Sequence, residues 1–385
     1  MKEKMSSLER VLLALDHKEA DRVPFDLGGS LVTGIHRVAY ENLRKYLGMP
    51  LLPYGPLDPR HCLATVHDDL RAAWNIDVSA IYPNVPRNSS AVILDENGYS
   101  LTDEWGIEWK MPKDAEHYMM RQHPMAHIES VEDLKRYPFP IPILSERFDG
   151  MADAARLLSD NKQATILGRA SSGLLETSLY LRGYEDFYSD LVENRSFAEA
   201  LLDKVLEFKI NYWEKALPLV GDKILLISET DDLCDQRGPL ISPKMYREVM
   251  KPRQRELFQF IKKKAQGRVH IMYHCCGAIR TLLPDFIEIG VDAMHPVQIS
   301  AEGMEPFGLK RDFGKDIVFY GGGIDTQKTL PFGTVQEVKE EVRRNIEAFA
   351  PGGGFVFATV HNIDSDVPPQ NIVAMWEALM EYGKY

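Results

Sequence analysis

One rhythm limits what this chain can fold into. Eight short β-rich runs recur along it, each followed by a polar or glycine turn and then an amphipathic helical stretch. The runs are RVPFDLGG (22–29), IDVSAIYP (76–83), ATILGRASSG (164–173), KILLISETDD (223–232), RVHIMYHCCG (268–277), VDAMHPVQ (291–298), DIVFYGGGID (316–325) and GFVFATVHN (354–362). Buried strands that alternate with helices predict an α/β fold. Eight such units predict a (β/α)8 TIM barrel; an open doubly wound sheet is the alternative that the same alternation allows.

The stretches between the runs carry helix signals. Ser6 or Ser7 starts an N-terminal helix whose Leu8, Val11, Leu12 and Leu15 share one face. Ser242 caps a helix with Pro243 at its first position, and Thr334 with Glu337 makes a capping-box pattern. Residues 84–163 break the rhythm with Asn97-Gly98, a hairpin turn signal, and a proline-rich YPFPIPILSE. They read as an insertion after the second strand, within one domain spanning 1–385. Trp105 and Trp109 of this insertion either line a substrate site beside the barrel mouth or pack the hairpin onto the barrel.

Composition narrows the function. The net charge is −12 and the pI about 5.5, which argues against general nucleic-acid binding. No run approaches the roughly 20 apolar residues that span a bilayer, and the charged N-terminus lacks a signal-peptide core. A cytoplasmic protein with reduced thiols is expected. Its cysteines, Cys62, Cys234, Cys275 and Cys276, are then free for packing, metal binding or redox chemistry.

Barrel enzymes place their chemistry at the C-terminal ends of the strands. Here those ends carry Asp26, Arg169, Glu229 with Asp231 and Asp232, His274 with Cys276, His295 with Gln298, Asp325, and His361 with Asn362. Charge concentrated there must face water, a partner or a metal. Arg169 suits a carboxylate clamp or a structural ion pair. Glu229 and Asp231 are candidates for proton transfer. Asp26, Gln298 and Asp325 are candidates for substrate contacts. His295 reads as a packed, hydrogen-bonded histidine.

Within YHCCG (273–277), the period-2 alternation of an extended chain points His274 and Cys276 the same way and turns Cys275 aside. Imidazole and thiolate suit zinc, and a catalytic zinc takes three protein ligands with one open position. His361, at the end of the last run, is the best third ligand. The competing reading leaves the cysteines as small buried hydrophobes.

Several segments together resemble the uroporphyrinogen decarboxylase superfamily, and within it the cobamide-dependent methyltransferase branch. They are RVLLALDHKEADRVPFDLGG, LRGYEDFYSDLVENRSFAEALLDKV, GPLISPKMYREVMKP, HCCGAIRTLLPDFIEIGVDAMHPVQ, YGGGIDTQKTLPFGTVQEVKEEVRRNI and GGGFVFATVHNIDSDVPPQNIVAMWEA. The resemblance covers nearly the whole chain and implies a (β/α)8 barrel. True decarboxylases of the superfamily carry an N-terminal segment whose paired arginines hold porphyrinogen carboxylates; this chain has RVPFDLGGSLVTGIHRVAY there, without the pair. The methyltransferase branch carries a zinc site of His-x-Cys plus a distant Cys. His274 and Cys276 match the first part, and His361 stands where the distant Cys falls.

The resemblance therefore implies a zinc-dependent methyltransferase. It would move a methyl group between a small substrate, such as a methoxylated aromatic, and a corrinoid protein or a thiol or folate acceptor. No cobalamin-binding domain is evident, so the corrinoid would arrive on a partner protein; a homodimer is left open. Two other readings stand beside it. One is a cofactor-free decarboxylase in which Asp26 or Asp231 stabilises a protonated intermediate while Arg169 and His361 bind carboxylates. The other is a barrel that binds a corrinoid or tetrapyrrole without turning it over.

Overall fold

The expected alternation is present. The structure is a computed structural model and describes residues 5–53, 56–58, 60–86, 92–95 and 98–385. Among the described residues, seven parallel strands form one sheet: β1 (Val78–Ile81), β2 (Ala164–Gly168), β3 (Leu226–Thr230), β4 (His270–His274), β5 (Ala293–His295), β6 (Val318–Tyr320) and β7 (Phe355–Val356). They lie side by side in chain order. Register sets His274 beside Thr230 on one flank and beside His295 on the other.

The first expected strand, 22–29, is not one. Pro24 has no N–H to give a ladder, and Gly28 turns the chain with φ +82. The segment instead touches both edges of the sheet. Phe25 bridges Phe357 in parallel, with Asp26 N donating to Phe357 O at 2.9 Å and Phe357 N to Pro24 O at 2.8 Å. On its other side Asp77 N donates to Phe25 O at 2.8 Å, just ahead of β1.

The two faces of the sheet follow strand parity. Val78, Ile166, Leu226, Met272, Ala293, Val318 and Val356 form a cluster with Val11, Ala14 and Leu15 of helix α1 (Ser7–Leu15). Their neighbours Leu167, Ile227, Tyr273, Met294, Phe319 and Phe355 join the larger core with the covering helices. Ser6 caps α1 in a full capping box with Glu9. The helix expected from Ser242 starts as drawn, with Ser242 Oγ accepting from Met245 N at 3.1 Å. It then passes through a π-turn at Tyr246–Met250 and resumes as Lys251–Lys264. Pro252 explains the turn, because it cannot donate to the carbonyl four residues back. Thr334 and Glu337 box the helix Val335–Phe349 as expected.

Between β1 and β2 a four-stranded antiparallel sheet runs through Ile93–Asp95, Gly98–Thr102, Glu108–Pro112 and Met119–Gln122. Asp95 faces Gly98 across the expected hairpin turn; Asn97 itself lies outside the described residues.

Asp77 ties the N-terminal segment down. Its carboxylate accepts from Arg10 Nη1 at 2.6 Å, Arg22 Nη1 at 2.7 Å and Phe25 N at 2.8 Å, and it is fully buried. Arg10 also holds Asp21 at 2.7 Å. Removing one partner of such a buried network strands charge in a low dielectric. Asp77→Ala should lower stability by about 3–5 kcal/mol in urea unfolding; a loss below about 1 kcal/mol would refute this role for Asp77.

Candidate metal centre and adjoining cavity

Strand β4 ends on His274, and the chain turns at once. Gly277 makes that turn possible: its φ is +91, and a Cβ there would strike the Asp235 carbonyl. The Cys276 N–H donates to Asp232 Oδ1 at 2.8 Å, and the Gly277 N–H donates to Gln298 Oε1 at 2.7 Å. These bonds fold the turn back so that Cys276 Sγ lies 3.4 Å from His274 Nε2. Cys275 is buried on the opposite side, where its sulfur accepts from Leu233 N at 3.4 Å. The alternation expected from the sequence is therefore what the backbone does.

His361 arrives from the segment after β7. Its backbone is left-handed, φ +70, an uncommon conformation for a residue with a Cβ. Asn362 fastens it, with Oδ1 accepting from Gly34 N at 2.6 Å and Nδ2 donating to Leu31 O at 3.1 Å. One ligand atom from each of His274, Cys276 and His361 lies within 4.8 Å of the others.

Burial sets the charge state of this cluster. It pushes His274 and His295 well below the usual histidine range, with the neighbouring imidazoles and Arg169 adding to the effect. Burial, followed by His61, takes His361 down to about 4. Burial and then Asp232 raise the Cys276 thiol. Neutral imidazoles are the form that binds metal, whereas the thiol must lose its proton to do so. Asp232 Oδ1 is 3.7 Å from His274 Nε2. Burial and then Glu176 raise its pKa to about 7.

A cavity of about 350 Å³ adjoins the strand ends. Leu31, Tyr82, Trp105, Ile107 and Tyr180 give it an apolar wall, and Arg169, Ser171 and Thr177 give it a polar one. Arg169 donates to Ser228 Oγ at 3.3 Å and stands near enough to His274, His295 and His361 to disfavour their protonation. Arg147 in the same wall is neutralised by Glu104. Trp105 lines the cavity and also packs on Phe208, at 4.8 Å between ring centroids. Trp109 serves the insertion: its Nε1 donates to Asp103 Oδ2 at 2.9 Å and its ring stands edge-on to Tyr180.

Residues 101–382 match the family model described as uroporphyrinogen decarboxylase (URO-D). The chain belongs to this family. Two curated relatives bear the name uroporphyrinogen decarboxylase. The protein from Pseudoalteromonas translucida (strain TAC 125) is 22% identical over 272 residues, and the one from Pseudoalteromonas atlantica (strain T6c / ATCC BAA-1087) is 20% identical. Each alignment covers 66% of this chain and 70% of the relative. Among solved structures, a methyltransferase from Methanosarcina mazei superposes with a TM-score of 0.63 at 18% identity, covering 98% of this chain and 99% of that one. That likeness is one of fold.

Within this URO-D chain, several expected site residues prove to be occupied elsewhere. Glu229 follows the outward parity of β3 and lies among the helices. It accepts from Lys209 Nζ at 2.7 Å and Trp213 Nε1 at 2.6 Å, both on helix Arg195–Val220. Both of its oxygens are thus held by that helix, away from the cluster. Asp231 shares that parity and caps helix Leu174–Arg182, accepting from Leu175 N and Glu176 N at 3.0 Å each. Asp325 accepts from Gln327 N at 3.0 Å and shapes its own turn. Gln298 uses its side-chain oxygen to hold Gly277.

Asp26 is also bound into the fold. It is buried on the inner face, with Gly29 N, Thr33 Oγ1 and Tyr320 Oη donating to it at 2.8, 2.9 and 2.6 Å. Those donors belong to the fold, so no substrate is needed to satisfy it. Asp232, named from sequence at the end of its run but given no role, is the acid that lies beside Cys276. Parity was the available signal: residues 228, 230 and 232 share the face that His274 occupies, whereas 229 and 231 do not.

Two predictions follow from these placements. Glu229→Gln should cost about 3 kcal/mol of stability by leaving Lys209 unbalanced, while metal binding at His274, Cys276 and His361 stays intact. Loss of metal binding from a folded Glu229→Gln protein would contradict this. The second concerns pH. Burial raises the Asp26 pKa from 3.8 to about 6, against the pull of its three donors. Between about pH 4 and 6 the native state keeps a proton that the unfolded chain has released, so stability falls as pH rises through this window. The full effect is on the order of 3 kcal/mol. Asp26→Asn should flatten that part of the stability–pH curve in denaturant titrations; an unchanged slope would assign it to other groups.

Proposed function

We propose that this URO-D family protein is a zinc-dependent methyltransferase. It would exchange a methyl group between a small methylated substrate, such as a methoxylated aromatic, and a corrinoid carried by a partner protein. The observation that carries the reading is the convergence of His274, Cys276 and His361. Zinc–nitrogen and zinc–sulfur bonds of about 2.0 and 2.3 Å set tetrahedral donors roughly 3.5 Å apart. The 3.4 Å between His274 Nε2 and Cys276 Sγ fits that spacing, and the two imidazoles are held neutral. The absence of the arginine pair from residues 22–40 also favours methyl transfer over porphyrinogen decarboxylation.

Bound by these three residues, zinc would supply Lewis acidity toward the substrate heteroatom that carries or receives the methyl group. With neutral His361 in place of a thiolate, the ligand set is more electrophilic, which favours withdrawal of the methyl group from an oxygen donor. The chain's own residues do the rest. Trp105, Tyr180 and Leu31 exclude water from the cavity, and Arg169 holds an anionic oxygen at its polar end. Asp232 fixes the Cys276 backbone, and with a pKa of about 7 it can take or give a proton beside the cluster. In this reading residues 1–385 form one cytoplasmic domain with 84–163 inserted. The hydrogen bonds that residues 24–26 make to both sheet edges support closure into a (β/α)8 barrel.

The names of the two Pseudoalteromonas relatives favour a second reading, a decarboxylase that needs no metal. Zinc content separates the two. Wild-type protein purified without a histidine tag should hold about one zinc per chain, and Cys276→Ala should hold little. Methyl transfer from a methoxylated aromatic to a free corrinoid should vanish in parallel. Wild type that binds no zinc when supplied with it, yet turns over a porphyrinogen, would replace the first reading with the second.

A further inference from the structure

Behind His274 stands a second histidine. The two Nδ1 atoms lie 2.7 Å apart, and the rings are tilted by 32° with centroids 5.0 Å apart. Strand register makes this pair, because His274 and His295 are direct neighbours on β4 and β5 and share the inward parity. His295 is completely buried. Its other nitrogen, Nε2, has no hydrogen-bond partner among the described residues, and Tyr320 lies beside its ring at 6.0 Å between centroids. A buried polar atom left without a partner is costly, so this arrangement needs a reason.

A bond between two Nδ1 atoms carries one proton, and only two assignments are open to a pair of neutral rings. In the first, His295 donates. His274 then accepts at Nδ1 and carries its own proton on Nε2, the atom that faces Cys276; that proton occupies the lone pair a metal would use. In the second, His274 donates from Nδ1. Its Nε2 lone pair is then bare and aimed at Cys276 and His361, and His295 accepts and carries its proton on the orphaned Nε2. Only the second assignment leaves His274 able to bind through Nε2.

We propose that His295 is a positioning residue that accepts the His274 Nδ1 proton, fixing the tautomer in which His274 Nε2 can bind metal. The inference rests on reading the cluster as a metal site. Where the empty site holds the first assignment, loading moves the shared proton from His295 Nδ1 to His274 Nδ1. The proton displaced from His274 Nε2 is balanced by one gained at His295 Nε2, so the histidine pair neither gains nor loses charge. The orphaned nitrogen is then a consequence of this job: the pocket spends a buried N–H to present an unprotonated nitrogen on the other ring. Outer partners of this kind raise the basicity of ligating imidazoles, and their loss costs about 10–100-fold in metal affinity.

The test compares zinc affinity, by chelator competition, in wild type, His295→Asn and His295→Phe. Each variant's fold is checked by thermal unfolding of the metal-free protein. Asparagine can set an oxygen near the position of Nδ1 and should keep affinity within a few-fold of wild type, whereas phenylalanine should lose about 10–100-fold. Nitrogen-15 spectra of histidine-labelled wild type loaded with zinc should show His274 protonated at Nδ1 and His295 at Nε2; this readout decides the matter if His295→Phe fails to fold. Equal affinity in all three proteins, or a zinc-loaded spectrum with His295 protonated at Nδ1, would overturn the inference while leaving the metal site standing. Wild type that binds no zinc would overturn both.

Discussion

The carboxylate of Asp77 is the knot on which the rest of the chain depends. Arg10 reaches it from the N-terminal helix, Arg22 from the chain that follows, and the Phe25 N–H from the extended segment. Asp77 itself sits one residue before β1 enters the sheet. The three donors together fix a stretch that Pro24 and Gly28 keep from pairing as an ordinary strand. That stretch is also the one that reaches both β1 and the chain just after β7. An intact buried charge network adds little net stability, but removing one partner is strongly destabilising because it leaves an uncompensated buried charge. Here it ties Arg10, Arg22 and Phe25 to the start of β1.

Inside that frame, parity distributes the chemistry. Along each parallel strand, one set of residues faces the cluster under helix Ser7–Leu15 and the other faces the covering helices. His274, His295 and Tyr320 fall on the inner set. Glu229 falls on the outer set, where a lysine and a tryptophan of one long helix claim it. Two acidic residues adjacent in sequence, Asp231 and Asp232, end in different places for the same reason. One caps a helix and the other lies beside Cys276.

The cluster works by excluding charge. His274, His295 and His361 crowd together with Arg169 nearby, so protonating any one of them is opposed by burial and by its neighbours. A group of neutral imidazoles with a thiol is a set of lone pairs waiting for a cation. The cavity beside the strand ends offers the complementary feature: a mostly apolar chamber with the Arg169 guanidinium in its lining.

The family model and the structure agree with the parts of the fold that were legible from local pattern. Ser6, Ser242 and Thr334 cap helices because a cap needs only the residue and the three that follow it. The seven paired strands lie where apolar runs place them, and the spacing of His274 and Cys276 let them be paired, although bonds to Asp232 and Gln298 hold the turn that joins them. His361 could be named because it ends the last run, yet its left-handed backbone was not foreseeable. What the sequence could not carry was the choice of face and partner. Whether Glu229 meets a substrate or Lys209, and whether Asp26 meets a ligand or Tyr320, depends on side chains 20 and 294 positions away. The histidine pair likewise exists only through the register of β4 on β5. Local chemistry determined which residues can act. Tertiary packing decided which ones have their polar atoms left over to act with, since most buried donors and acceptors are satisfied within the fold.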